Sequence, residues 1–145
     1  MTKGNGHRLS AADYPLAEKR PGLVKGARGK SLDDITLDSV VTGEVGMEDL
    51  RITPDMLLAQ AEIARSAGRP ALAANFERAA EMVDVPQQLI METYELLRPG
   101  RAPDRTKLVT AASRLREEFG AERLAAFLED AAEVYERRGL FRFRY

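Results

Sequence analysis

The chain has 145 residues, of which 44% are apolar and 31% charged, with a net charge of −1 and no cysteine. The length fits one domain, the balanced charge argues against a general attraction to nucleic acid or membranes, and the lack of cysteine excludes disulfides and thiolate sites. Apolar runs are too short to span a bilayer and no signal-peptide pattern follows Met1, so we expect a soluble, cytoplasmic protein.

The N-terminal region differs in charge from the rest of the chain. Residues 1–30 carry seven basic and two acidic side chains, whereas the remaining residues carry fifteen basic and twenty-one acidic ones. Residues 1–12 are polar and glycine-rich, and we expect them to form a disordered leader. A basic leader on an acidic body is typical of an arm that lies along another surface.

Residues 13–52 are predicted to form an extended arm with short helical turns that contacts a partner. Pro15 and Pro21 favour extended conformations in the residues before them. An extended segment cannot bury its apolar side chains against itself, so these must contact either the body of the chain or a partner. We favour the partner for Tyr14, Leu16, Leu23 and Val24.

Two helical turns are expected at the end of the arm. Thr36 can cap a turn over residues 37–42 that Gly43 ends, and a second turn follows over residues 47–50. We expect the apolar side chains of this region to tether it to the main helices. They are Leu32, Ile35, Leu37, Val40, Val41, Val45 and Ile52.

Residues that typically begin or end a helix are clearest from residue 53 onwards. Thr53 and Pro54 open a helix that Gly68 can close, and prolines begin the next two, which gives helices over 54–67, 70–83 and 86–97. Asp104 can cap a fourth helix that Gly120 closes, and a fifth runs through residue 138. No convincing central strand is present, so the sequence predicts an all-α fold with about five main helices in a small irregular bundle over residues 53–139, followed by a basic-aromatic tail at 140–145.

No catalytic, cofactor-binding or metal site is predicted on this chain. The run Gly26-x-x-Gly29-Lys30-Ser31 resembles part of a phosphate-binding loop, but Val24 stands where that loop needs glycine and no strand precedes it. His7, the only histidine, lies in the expected disordered leader, without a second ligand or base partner.

A helix-turn-helix DNA-binding domain or a free-standing helical adaptor is the alternative interpretation. Residues 79–86 and the amphipathic helix predicted after them have the order of helix, turn and helix that this motif shows. However, Asp84 stands where the turn usually needs glycine, and Glu92 and Glu95 would repel phosphates.

Several ordered blocks resemble the small (gamma) subunit of adenosylcobalamin-dependent diol and glycerol dehydratases. The match is dense over residues 13–99 and looser to residue 138. The blocks are Asp13-Tyr14-Pro15-Leu16, Lys19-Arg20-Pro21, residues 29–37 (GKSLDDITL), residues 49–53 (DLRIT), Gln60-Ala61-x-Ile63-Ala64, Gly68-Arg69, Leu72-Ala73-x-Asn75-Phe76-Glu77-Arg78-Ala79-Ala80-Glu81, Val85-Pro86, Ile90, Tyr94 and Leu97-Arg98-Pro99.

The resemblance implies a non-catalytic, mostly helical subunit in a dimer of heterotrimers. In this family the large subunit carries the substrate pocket, and adenosylcobalamin lies between the large and medium subunits. The complex converts a 1,2-diol or glycerol into an aldehyde and water through an adenosyl radical. The resemblance therefore implies no cofactor on this chain and no nucleic-acid or membrane partner.

Two further expectations follow from the resemblance. Members packaged in bacterial microcompartments often carry a longer leader with an amphipathic helix, whereas twelve residues precede Asp13 here, so we expect no encapsulation signal. We also expect the arm to supply the contacts with the large subunit. The predicted interface residues are Tyr14, Pro15, Leu16, Lys19, Arg20, Pro21 and Arg51.

Overall fold

The computed structural model describes residues 8–142, so the disorder expected for residues 1–7 and the last part of the expected tail, residues 143–145, lie outside the described residues. The predicted all-α class is confirmed, since this part of the chain contains eight α-helices, three short 3-10 helices and no named strand. The chain divides into two compact units, Met1–Ala80 and Glu81–Tyr145, and the division falls inside the helical region expected at 53–139.

The helices follow the predicted order. The three short ones are α1 (Leu16–Lys19), α2 (Leu37–Val41) and α3 (Met47–Leu50). The five long ones are α4 (Pro54–Ser66), α5 (Pro70–Met82), α6 (Gln87–Leu97), α7 (Arg105–Phe119) and α8 (Glu122–Arg138). The observed ends of the long helices lie within one residue of the ends that the sequence predicted, because local capping chemistry sets where a helix begins and ends.

The first unit is built around α4. The Thr53 hydroxyl accepts the N–H of Met56 at 3.4 Å at the start of this helix, and Gly68 follows its end with φ of +72°, a conformation that costs glycine little. One face of α4 packs Ala59 and Ile63 against the N-terminal segment. A second face packs small alanine side chains against the start of α5, in a cluster of Ala61, Ala64 and Ala73 with Leu72 and Phe76.

The second unit is built around the α7–α8 hairpin. Gly120, with φ of +62°, ends α7, and the turn leads directly into α8. The carboxylate of Glu81 accepts the N–H groups of Arg123 and Leu124 at 3.1 and 2.8 Å, which satisfies two free donors at the start of α8. Leu115 and Leu128 are fully buried between the helices.

The C-terminal region packs on the same unit as far as it is described. The Tyr135 hydroxyl donates to the backbone oxygen of Leu97, and its ring meets Phe141 edge-on at 6.0 Å. The N–H of Gly100 donates to the Leu140 oxygen at 2.9 Å. The first residues of the expected tail therefore belong to the packed structure.

Two expectations for the N-terminal half are wrong. Residues 9–12 are not disordered, because the N–H groups of Leu9 and Ala11 donate to side chains of α4. The apolar side chains expected to tether the helical turns mostly do not do so. Val45 is buried and Ile35 half-buried, whereas Leu32, Leu37, Val40, Val41 and Ile52 are exposed.

Among residues 8–142, no helix is both long enough and apolar enough to cross a membrane.

Candidate partner-binding surface

The N-terminal arm is fixed to α4 by hydrogen bonds at its start. The Leu9 N–H donates to Glu62 at 3.0 Å, and the Ala11 N–H donates to the Ser66 hydroxyl at 3.1 Å. Both acceptors lie on α4, one helical turn apart, so the arm runs beside this helix. Its first residues therefore have one defined position.

Asp13 holds the next turn of the arm together. Its carboxylate is buried and accepts the N–H of Ser10 at 2.9 Å and a guanidinium hydrogen of Arg20 at 3.2 Å. The ion pair joins the residues before and after α1. Arg20 was predicted to contact a partner, and part of its hydrogen-bonding capacity is used inside the arm.

Leu16 belongs to the chain's own core, which corrects one member of the predicted interface. Its side chain is 4% exposed and packs with Ala59 and Ile63 of α4. Val24, also assigned to a partner, is half-buried against the same cluster. The preference for a partner was wrong for these two, because α4 lies close enough to cover them.

The side chains of the other predicted interface residues are at least partly exposed to solvent, so a partner could contact them. Tyr14 is 61% exposed, Lys19 and Pro21 are exposed, and Pro15 is half-buried. Arg51 is also exposed, and its guanidinium lies 3.5 Å from the Glu48 carboxylate. Whether they contact another chain stays a prediction.

Tyr14 borders a shallow groove in the first unit. The groove has a volume of about 340 Å³ and lies along α4 and the start of α5. Its floor is apolar, and its polar side chains are those of Gln60, Arg69 and Tyr14. The lining residues are Ala11, Tyr14, Gln60, Ile63, Ala64, Ala67, Arg69, Leu72 and Phe76.

An ion pair between the exposed Arg28 and the buried Asp49 attaches the middle of the arm to α3. Arg28 donates to both carboxylate oxygens of Asp49, with Nε at 2.8 Å from Oδ1. The N–H of Gly46 donates to the same carboxylate at 2.9 Å. The Arg28 hydrogen bonds, followed by the one from Gly46, lower the pKa of Asp49 to about 2. The side chain therefore stays charged at neutral pH.

The backbone on both sides of this ion pair is closely packed. A Cβ atom added at Gly26 would lie 2.3 Å from the backbone oxygen of Asp49. Glycine is therefore required there by close approach of two backbones. The loop around Gly26 is closed by a single antiparallel bridge between Lys25 and Ser31. The sequence predicted neither the Arg28–Asp49 ion pair nor the contact between Gly26 and Asp49, since the two partners in each are far apart in the chain.

Short helices α2 and α3 expose apolar side chains that a self-contained domain would bury. The exposed fractions run from 48% to 79%. We call these residues the α2–α3 apolar face. They are Leu37, Val40 and Val41 on α2, and Met47 and Leu50 on α3. The sequence predicted contact with the main helices for Leu37, Val40 and Val41, and it predicted no contact for Met47 or Leu50.

The described residues offer no good fit for the corrin cofactor that the resemblance implies. No three His, Cys, Asp or Glu side chains among residues 8–142 could together hold a metal ion. The groove beside Tyr14 presents few polar groups, whereas a corrin ring is large and carries amides around its edge. The placement of the cofactor on other subunits stays a prediction.

The alternative interpretation as a helix-turn-helix gains no support from α6. Its exposed side chains include Gln87, Gln88, Glu92 and Glu95, and Gln88 donates to Glu92 at 2.9 Å. A recognition helix needs donors or cations towards the phosphates. The exposed charges of α6 have the opposite sign.

Comparisons with known proteins agree on one family. The family model described as dehydratase small subunit matches residues 9–142. A propanediol dehydratase small subunit from Citrobacter freundii is 47% identical over 132 residues, which is 91% of this chain and 76% of that protein. A propanediol dehydratase small subunit from Salmonella typhimurium is 45% identical over 135 residues, which is 93% of this chain and 78% of that protein.

Proposed function

The chain belongs to the dehydratase small-subunit family, and we propose that it is the structural small subunit of a diol dehydratase. The observation that carries the proposal is the alignment over more than nine-tenths of the chain with two proteins named propanediol dehydratase small subunit. We therefore favour propane-1,2-diol over glycerol as the substrate of the complex.

The role that we propose for this chain is to bind and stabilise the large subunit. Support comes from the surface of the first unit, where the arm is held against α4 and α3 while Tyr14 and Arg51 remain exposed. Exposed aromatic and arginine side chains are the residue types that most often dominate binding energy in interfaces. Lys19 and Pro21 lie on the same arm.

The chemistry of the complex would take place on other chains. The overall reaction removes water from a 1,2-diol and leaves an aldehyde, and adenosylcobalamin, bound between the large and medium subunits, would supply the radical that starts it. This chain contributes no group to bond breaking in the proposal. Its exposed residues bind a neighbour, and the ion pairs Asp13–Arg20 and Arg28–Asp49 hold the arm in the shape that the neighbour meets.

The proposed assembly is a dimer of heterotrimers in the cytoplasm. Each heterotrimer would contain one large, one medium and one small subunit. Because the substrate and cofactor would be held elsewhere, loss of this chain should act through the stability of the complex. It should reduce the amount of active enzyme more than it changes the Michaelis constant.

Reconstitution tests the proposal. The cognate large and medium subunits are expressed with and without this chain, and aldehyde formation from propane-1,2-diol is measured with adenosylcobalamin present. We expect both the soluble complex and the activity to fall when the chain is omitted, and adding the purified chain back to restore them. Unchanged activity without the chain, or no binding to either subunit, would contradict the proposal.

A further inference from the structure

We propose that the groove beside Tyr14 binds a segment of the large subunit in which an apolar side chain lies next to a carboxylate, and that Arg69 pairs with this carboxylate. The inference rests on the proposed function, from which it takes the large subunit as the partner. It goes beyond the predicted interface, which contained neither Arg69 nor any residue of α4 or α5.

The groove is one continuous feature built by three parts of the first unit. The floor comes from α4, one wall from Leu72 and Phe76 of α5, and the other wall from Ala11 and Tyr14 of the N-terminal arm. The floor residues recur at spacings of three and four, which places them on one side of α4. They are Gln60, Ile63, Ala64 and Ala67. All of the lining residues belong to one unit, so the groove is formed within it.

The size and depth of the groove favour a protein segment over a free small molecule. Its volume of about 340 Å³ lies at the lower end of the range of about 300–1,000 Å³ that is typical of ligand pockets. A bound small molecule usually has about 70–90% of its surface covered, and a shallow groove does not cover that much. A segment that belongs to a larger surface needs to be covered on one side only.

Arg69 is the only charged residue among those that line the groove. Its backbone is fixed in the turn between α4 and α5, since its N–H donates to the oxygen of Ala64 at 2.9 Å and its own oxygen accepts the N–H of Ala73 at 3.1 Å. The residue is exposed, and within the described residues its guanidinium forms no ion pair. A guanidinium without a partner beside an apolar floor is complementary to a carboxylate.

Most charged side chains next to the lining residues in the sequence are paired within the chain. Asp13, which precedes Tyr14, pairs with Arg20 at 3.2 Å. Arg65 of α4 pairs with Glu77 of α5 at 2.7 Å. In each pair the two charges compensate each other, so neither pair changes the sign of the charge that Arg69 gives to the groove.

Glu62 is the remaining charged neighbour, and it lies on another side of α4. It is two residues from both Gln60 and Ala64, which places it about 160° around the helix from them. Its carboxylate accepts the N–H of Leu9 at 3.0 Å. Arg69 is therefore the charge that a segment in the groove meets, and a carboxylate is the group that matches it.

The first test measures how tightly variants of the full chain bind the complex of the cognate large and medium subunits. Arg69→Glu places a like charge opposite the carboxylate of the partner, and we expect it to raise the dissociation constant at least about tenfold. Arg8→Glu is the matched control, because Arg8 is an exposed arginine of the same unit that does not line the groove. The control should change the dissociation constant less than about twofold. Equal effects of the two variants, or an effect of Arg69→Glu below about twofold, would overturn the inference.

The second test identifies the partner of Arg69 in the assembled complex. Arg69→Lys keeps the positive charge and adds an amine, which a carbodiimide couples directly to a carboxylate in contact with it. We expect a crosslinked peptide that the unaltered chain does not give, between position 69 and an aspartate or glutamate of the large subunit that lies next to an apolar residue. Crosslinks from position 69 only to the medium subunit or to a copy of this chain, or none in an assembled complex, would overturn the inference and leave the proposed function standing. If the unaltered chain does not assemble with these subunits, both fail.

Discussion

Leu16 and Tyr14 separate the chain's own core from its predicted interface. Leu16 is 4% exposed and packs with Ala59 and Ile63, whereas Tyr14 is 61% exposed. Truncating a buried leucine to alanine costs about 2–5 kcal/mol of unfolding free energy. Truncating an exposed side chain usually changes the unfolding free energy by less than about 0.5 kcal/mol.

These magnitudes predict opposite results for two single variants. In a unit of about 80 residues, a loss of 2 kcal/mol lowers the melting temperature by roughly 8–16 °C. Leu16→Ala should therefore show a strongly lowered melting temperature of the first unit, and Tyr14→Ala nearly the unchanged value. In assembly with the large subunit, Tyr14→Ala should raise the dissociation constant while folding is intact.

The assays are circular dichroism of the full chain during heating, and titration of the chain into the large subunit at a temperature where both variants are folded. Leu16→Met, which largely conserves volume, is the control and should lose less than about 1.5 kcal/mol. If Leu16→Ala melts like the unaltered chain and instead weakens assembly, our assignment of Leu16 to the core is wrong.

Three further predictions concern the ion pair, the close backbone contact and the second core. The pKa of Asp49 is about 2 in the folded chain and about 3.9 in the unfolded chain, so the ionised carboxylate stabilises the fold above about pH 3.9 and this stabilisation is lost as the pH falls towards 2. Asp49→Asn should therefore flatten the dependence of the unfolding free energy on pH in this range, measured by urea denaturation. An unchanged slope would contradict the role of the ion pair. Gly26→Ala should force the loop away from the Asp49 oxygen and speed amide hydrogen exchange around residues 25–50. The control Gly22→Ala should leave the exchange unchanged, because no atom lies within 4 Å of the added carbon. Equal exchange in both variants would count against the contact. Leu128→Ala should cost the second unit about 2–5 kcal/mol in urea denaturation, because Leu128 is fully buried, and a loss below about 1 kcal/mol would refute the packing.

The main helices could be predicted from the sequence because their ends depend on local chemistry. The Thr53 and Asp104 side chains accept backbone N–H groups at helix starts, and Gly68, Gly120 and Gly139 have positive φ beyond helix ends. Each signal lies within a few residues of the boundary that it marks. The all-α class followed from the same signals.

The arm could not be predicted as well, since its structure depends on contacts between distant parts of the chain. Leu16 is covered by α4, and Arg28 pairs with Asp49, and neither contact leaves a local pattern. The apolar spacing in α2 fits burial against the chain itself and burial against a partner equally well. The exposed fractions of Leu37 and Val41 show that these side chains are not buried against the chain itself.

The mass of the assembled complex tests the central claim most directly. The full chain is expressed with its cognate large and medium subunits, purified through a tag on the large subunit, and measured by native mass spectrometry. The account predicts one complex that contains two copies of each of the three subunits. A purified complex of large and medium subunits that lacks this chain, with the chain recovered alone, would contradict it.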